Sequence, residues 1–447
     1  MKKIISRRTG IFILIFTFIL SVNGLCVQGA DLTGSDIPGV TDIKNTGTLP
    51  EITAASAILI DSSTGQILYE KNAHEKRYPA STTKIMTALL AVENLKMEDT
   101  VTVDAEAASV TGSRIYLSEG EYILVKDLIY SLMIASANDS AVALGKAVAG
   151  SVPAFAEMMN DKARQCGALN THFNNTNGLP DEQHYTTAYD LAMITKAAFT
   201  HQTFRDIVAT PTYKIAATNK YGERELINGN RMLWDTKPRY EYNEEQIAPK
   251  YEGTNGVKTG YTDAAGNCLV ASVNRDGHEL IGVVMGSERE MHFLDMIKIM
   301  DYGFSNYDSF TVCSAEDFRY SIKVKKSEVK TVEAGITEDI KITLPAGTGM
   351  DKITTEVDME KKYEAPLEQN QAIGTLSVYY DGNLLCRADI SALQAAELKE
   401  GPDIAGIAVK VLKTVGAAAV ILALLYVIFV FAVNQMYKKK KNRGNKN

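Results

Sequence analysis

The stretch Tyr78-Pro79-Ala80-Ser81-Thr82-Thr83-Lys84-Ile85-Met86 decides how this chain is read. Proline ahead of an apolar-periodic run marks a helix start, and from Ser81 to Asn94 apolar residues recur at three-to-four spacing. Three residues apart on such a helix, Ser81 and Lys84 share one face. A serine hydroxyl is a poor nucleophile until a base takes its proton, and a lysine amine becomes that base when burial and a neighbouring cation leave it neutral. Ser-x-x-Lys also arises by chance, because both residue types suit a helix start and an exposed helix face, so the spacing needs support from elsewhere in the chain.

Two segments supply it. Ser136-Ala137-Asn138 lies at the end of the helical stretch Leu128 to Ala135, and Lys258-Thr259-Gly260 is expected to open a strand ahead of the hairpin at 268 to 285. Ser136 can relay a proton between Lys84 or Lys258 and a leaving nitrogen, and Asn138 can hold a substrate amide. Lys258 supplies a positive charge that lowers the Lys84 pKa and attracts a terminal carboxylate, to which Thr259 can hydrogen-bond. Gly260 lets a substrate backbone approach the strand edge, and the amide N–H groups of Ser81 and Tyr261 are candidate oxyanion-hole donors.

With these pieces quoted, the stretch from about Ala54 to Phe304 resembles the serine D-Ala-D-Ala carboxypeptidases, the low-molecular-mass penicillin-binding proteins of the peptidase S11 type. Besides the three motifs, Phe173-Asn174-Asn175-Thr176-Asn177-Gly178-Leu179, His184-Tyr185-Thr186-Thr187-Ala188 and Gly256-Val257-Lys258-Thr259-Gly260-Tyr261-Thr262 occur in that family's order. Ala365-Pro366-Leu367 and Val378-Tyr379-Tyr380-Asp381-Gly382 resemble the β domain that follows there. The resemblance implies Ser81 as acylated nucleophile, Lys84 as general base, Ser136 as proton relay, and Asn138, Lys258 and Thr259 as substrate contacts. It also implies a stem peptide ending in D-Ala-D-Ala as substrate, β-lactams as covalent inhibitors, and no metal or cofactor.

Outward from the motifs, 447 residues are enough for a large domain and a smaller one. Residues 1–30 have the layout of a secretory signal, with Lys2-Lys3 and Arg7-Arg8 before an apolar run from Ile11 to Leu20. Residues 31–51 read as a linker and 52–306 as the catalytic domain, an α/β sheet flanked by helices in the β-lactamase/penicillin-binding (transpeptidase-like) manner. Ala54–Ile60 and Gly65–Tyr69 read as an edge hairpin; Val125–Val148, Val152–Cys166 and Ala188–Phe199 read as helices. Residues 307–395 alternate Val, Ile, Tyr and Thr with charges and are expected to form a small all-β sandwich without chemistry of its own. A linker at 396–414 then leads to a transmembrane helix at 415–436 and a basic tail at 437–447. Val415 to Val433 carries no charge and is long enough to cross a bilayer, and the lysines that follow put the tail inside and the catalytic domain outside. The family commonly ends in an amphipathic surface helix, so the full apolar span is a departure that implies permanent anchoring.

Other classes fit less well. With 54 acidic against 47 basic side chains and no basic stripe, nucleic acid is not an expected partner. The four cysteines beyond the signal, Cys166, Cys268, Cys313 and Cys386, have no pairing or metal spacing. His184 invites a Ser-His-Asp reading, but no Gly-x-Ser-x-Gly elbow surrounds Ser81, so a structural histidine near the cleft is expected. A class A β-lactamase would need a Glu-x-x-x-Asn segment between Ser136 and Lys258, and there is none. A silent wall-binding relative would be free to lose a motif residue, and all are intact. The motifs leave carboxypeptidase and D,D-endopeptidase undivided.

Overall fold

The computed structural model describes residues 48–360, 362–399 and 404–444. The signal at 1–30 and nearly all of the linker at 31–51 lie outside the described residues, as does the end of the basic tail. The chain divides into two compact units, one ending at Phe304 and the other beginning at Ser305.

The first unit is organised by five antiparallel strands: β1 (Ser56–Asp61), β2 (Ile67–Lys71), β3 (Thr254–Thr262), β4 (Gly266–Arg275) and β5 (His278–Ser287). Their order is β2-β1-β5-β4-β3, so the hairpin β1-β2 closes one edge and β3 is the other. The Asp61 carboxylate shapes the first turn by accepting from the Ser63 and Thr64 amides. Asp276 and Gly277, both with positive φ, join β4 to β5 in the two-residue turn that suits strand twist. Strands β4 and β5 are buried continuously from Cys268 to Val273 and from Leu280 to Met285, which is the pattern of a sheet covered on both faces.

One face packs against α5 (Ala188–Ala198) and the helical half built from α1 (Lys84–Asn94), α2 (Val125–Ile134), α3 (Asn138–Ala149) and α4 (Val152–Gln165); Ile58, Ile60, Ile281 and Val283 join that core. On the other face Met296 and Met300 of α6 (His292–Asn306) close over Gly282. Helix starts follow capping chemistry. Ser151 accepts from the Ala154 amide ahead of α4, and Thr187 accepts from the Asp190 amide ahead of α5.

Two expectations change here. The helical period across Val125–Val148 is broken between α2 and α3, because Ser136 sits in the left-handed region at φ 59° and no α-helix passes through that conformation. Lys258-Thr259-Gly260 lies well inside β3 and does not open it. Thr254, Gly256 and Val257 already pair with Val273, Ser272 and Ala271 of β4.

The second unit begins as an all-β assembly of β6 (Tyr307–Cys313), β7 (Arg319–Lys325), β8 (Thr331–Gly335), β9 (Ile340–Pro345), β10 (Ile353–Met359), β11 (Lys362–Glu364), β12 (Ala372–Tyr380) and β13 (Asn383–Ala392). A ribbon β6-β9 accompanies a six-stranded sheet in the order β10-β12-β13-β8-β7-β11. Ile342, Leu344, Val332, Leu376, Val378 and Ile390 form its buried apolar side. Helix α7 (Ile404–Gly444) ends the described chain. It starts inside the segment expected as a linker, since Ile404 to Thr414 holds no proline to stop a helix that the apolar run extends. Its stretch Gly406–Lys438 is long and apolar enough to cross a membrane.

Candidate active site

The turn carrying Ser81 is a 3-10 segment, Ala80–Thr83, ahead of α1. The Pro79 carbonyl accepts from the Thr82 amide at 3.2 Å and from its hydroxyl at 2.6 Å, while Ala80 takes a positive φ of 47°. Backbone held in so sparsely populated a region clusters at functional sites. Lys84, the first residue of α1, is completely buried. Its Nζ lies 2.9 Å from Ser81 Oγ and 2.7 Å from the Asn177 carbonyl, to which it donates. Burial holds the Lys84 pKa well below the usual lysine range, the Lys258 charge lowers it further, and Asp139 opposes both. A neutral amine so placed can accept the Ser81 proton.

Lys258 and Thr259 come from edge strand β3, which runs beside the Ser81 turn. A Cβ on Gly260 would stand 3.0 Å from the Ser81 nitrogen and 3.1 Å from that of Thr82, so the absent side chain keeps open the space in front of those amides. Lys258 is buried, its pKa is pushed down to about 7 by desolvation, and its Nζ donates to the Thr259 carbonyl at 2.8 Å. A substrate carboxylate beside it would restore the charge. Tyr261 stands exposed beyond them, its hydroxyl donating to Asp263.

Ser136 occupies the left-handed break between α2 and α3. Asn138 starts α3 with its amide nitrogen committed: Nδ2 donates to the Thr111 carbonyl at 2.6 Å, which fixes the side chain and leaves Oδ1 for a ligand. Among the described residues no group of His, Cys, Asp and Glu could hold a metal ion.

The supporting loop at 174–179 received no role from sequence reasoning. The Asn175 side chain accepts from the Gly178 amide at 2.7 Å and donates to the Leu179 carbonyl at 3.0 Å, folding the loop so that the Asn177 carbonyl meets Lys84. The clustered Asn and Gly residues were the available signal, since short amides favour such turns. At Gly178, φ is 86° and an added Cβ would lie 1.7 Å from the Ala80 carbonyl oxygen. Gly178→Ala is therefore expected to push the nucleophile turn away from Lys84. It should lower the rate of penicillin acylation by about a hundredfold or more and cost about 2–4 kcal/mol of stability. Stopped-flow acylation and a denaturant titration read the two effects.

His184 locks the same loop to the same turn. Its Nδ1 accepts from the Asn174 amide at 2.9 Å, so Nε2 carries the proton and donates to Thr83 Oγ1 at 2.8 Å. That bonding engages both ring nitrogens, and burial lowers its pKa from 6.5 to about 4. Because the unfolded chain binds this proton first, the stabilisation is fully present above about pH 6.5 and falls as pH drops from there to about 4. At about 1.4 kcal/mol per unit, roughly 3 kcal/mol is lost. Urea midpoints measured across that range should show the slope in the parent chain and a shallower one in His184→Gln.

Comparison with known proteins accords with this geometry. Residues 43–289 match the Peptidase S11 family model, described as D-alanyl-D-alanine carboxypeptidase, and residues 307–398 match the penicillin-binding protein 5 C-terminal domain. D-alanyl-D-alanine carboxypeptidase DacF of Bacillus subtilis is 35% identical over 76% of this chain and 85% of its own length. DacA of Escherichia coli K12 is 31% identical over 82% and 86%. Among solved structures, penicillin-binding protein 5 from Haemophilus influenzae aligns at a TM-score of 0.61 with 28% identity, covering 78% of this chain and 99% of that one. The Streptomyces K15 DD-transpeptidase aligns at 0.52 with 32% identity over 58% and 99%. With more than half of the chain matched by the family model and the Lys84 amine held against Ser81 Oγ, the chain belongs to the peptidase S11 family, the D-alanyl-D-alanine carboxypeptidases.

Proposed function

We propose that the chain removes the terminal D-alanine from peptidoglycan stem peptides through an acyl-enzyme on Ser81. The observation that carries this reading is the 2.9 Å contact between Ser81 Oγ and a buried Lys84 amine whose pKa is held down by burial and by Lys258. Lys84 takes the hydroxyl proton as Oγ bonds to the carbonyl carbon of the penultimate D-alanine. The Ser81 and Tyr261 amides stabilise the oxyanion, and Ser136 passes the proton to the leaving nitrogen as the C–N bond breaks. Water then attacks the ester carbonyl while Lys84 takes its proton, and as the C–Oγ bond breaks Lys84 returns that proton to Ser81 Oγ, restoring the free serine and the neutral amine. Lys258 and Thr259 bind the free carboxylate, while Asn138 Oδ1 accepts from a substrate amide.

Penicillin enters the same cycle and stalls at the ester. The span Gly406–Lys438 supports anchoring in the cytoplasmic membrane. With the leader read from the sequence, the catalytic unit then faces outward, and shortening the stems there limits cross-linking. Intact-mass analysis after incubation with penicillin, alongside D-alanine release from diacetyl-Lys-D-Ala-D-Ala, tests the reading. A stable adduct on Ser81 with D-alanine release supports it. Rapid return of free enzyme with hydrolysed drug points to a β-lactamase, and the absence of any adduct defeats the catalytic assignment.

A further inference from the structure

The segment between Thr111 and Ser118 is an exposed loop held with unusual firmness beside the start of α3. The Asn138 amide donates to the Ser113 carbonyl at 2.7 Å, and one residue on, the buried Asp139 carboxylate accepts from the Ile115 amide at 3.1 Å and the Leu117 amide at 3.0 Å. On the far side Arg224 Nε donates to the Ile115 carbonyl at 2.9 Å. Arg224 also pairs at 2.8 Å with Glu121, which is fully buried and accepts from the Ser118 amide. Buried charges of this kind add little net stability compared with apolar residues of the same volume; what they supply is fixed geometry.

The geometry so fixed presents two side chains to solvent. Between the buried Ile115 and Leu117, Tyr116 is held at φ 61°, a conformation costly for an aromatic residue, and it is 61% exposed. The Arg114 guanidinium lies 5.0 Å from the Tyr116 ring centroid and has no acidic partner among the described residues; its one hydrogen bond is a long 3.4 Å contact to the Val110 carbonyl. Fold stability explains neither the exposed ring on strained backbone nor the unpaired cation over it. Strain of this sort is retained where a surface must be pre-shaped for a ligand.

Resting on the reaction proposed above, the direction of the substrate says which ligand. Its C-terminal carboxylate belongs at Lys258 and Thr259, and Asn138 takes an amide upstream of the scissile bond, so the chain leaving Asn138 passes the loop whose backbone Asn138 itself holds. We propose that Arg114, stacked on Tyr116, is a specificity element that binds an anionic group carried by the stem peptide upstream of its D-Ala-D-Ala end. A guanidinium pairs with a carboxylate through two parallel N–H donors, and the tyrosine face keeps it oriented.

The test uses the full chain in detergent and two peptides ending in D-Ala-D-Ala, one with a neutral acetylated lysine before that pair and one with a residue bearing a free side-chain carboxylate there. The parent enzyme is expected to favour the carboxylate peptide by roughly tenfold in kcat/KM, a preference that shrinks as salt is raised. In Arg114→Ala the ratio should fall to about one, and Arg114→Lys should recover part of it. Tyr116→Ala should lower the ratio without reversing it. No preference in the parent chain, or a preference that survives Arg114→Ala, overturns the proposal. Penicillin labelling of Ser81 in the same samples separates the two failures: labelled enzyme without the preference defeats only this inference, whereas unlabelled parent enzyme defeats the reaction and the inference together.

Discussion

Ser81→Ala is expected to abolish the penicilloyl adduct and to lower kcat for D-alanine release by about a millionfold, leaving only what binding and the oxyanion donors supply. Lys84→Ala should cost nearly as much, and the double variant should be little worse than either, because nucleophile and base act as one unit across the 2.9 Å contact. That non-additivity separates a general base from a residue that merely packs under the turn. If Lys84→Ala retained acylation within about tenfold of the parent, below the usual worth of a general base, proton removal would have to be assigned elsewhere. His184 is not available for it, since both of its ring nitrogens are engaged with Asn174 and Thr83.

The second large effect concerns Lys258. Removing its ammonium in Lys258→Ala leaves a bound carboxylate without its cation, which should lower kcat/KM for peptides by about a hundredfold to a thousandfold. A peptide amide lacking the terminal carboxylate should lose far less. The sign of the pH dependence follows from desolvation, which lowers the free-enzyme pKa of this lysine to about 7. Below that pH Lys258 is charged and can bind the carboxylate; above it the charge is lost, so kcat/KM should fall on the alkaline side beginning near neutrality. Lys84 acts in the opposite sense, being useful only when neutral. Bound carboxylate raises the Lys258 pKa, so at pH 8 binding should be accompanied by proton uptake, measurable by calorimetry in buffers of different ionisation enthalpy. Lys258→Arg keeps its charge across the range, and its profile should lose the alkaline limb near 7. An unchanged limb in that variant would assign the titration to another group.

Both results depend on burial that no linear motif announces. The order of the three motifs named the residues, yet Ser-x-x-Lys says nothing of a lysine completely buried against the carbonyl of Asn177. The apparent helix from Val125 to Val148 shows the same limit from another side. Its apolar period runs on through residues 135–137 because α2 and α3 share one core, so periodicity could not register the left-handed Ser136 that divides them. In β3 the converse holds: an Asn-Gly pair favours a turn when taken alone, and only pairing with β4 draws residues 254–257 into the strand.

What the sequence by itself determined is local in origin. The shared face of Ser81 and Lys84, the apolar run through α7, the hairpin at 268 to 285 and the β texture after Phe304 each follow from residues within a few positions of one another, where backbone sterics and side-chain period act directly. The tertiary structure alone decided the chemistry of those residues. Only packing brings Gly178 against Ala80, the Asn177 carbonyl onto Lys84, the Lys258 strand beside Ser81, and Asp139 under the loop of Arg114 and Tyr116. Desolvation and charge proximity arise from that packing, and they turn an ordinary lysine into a base.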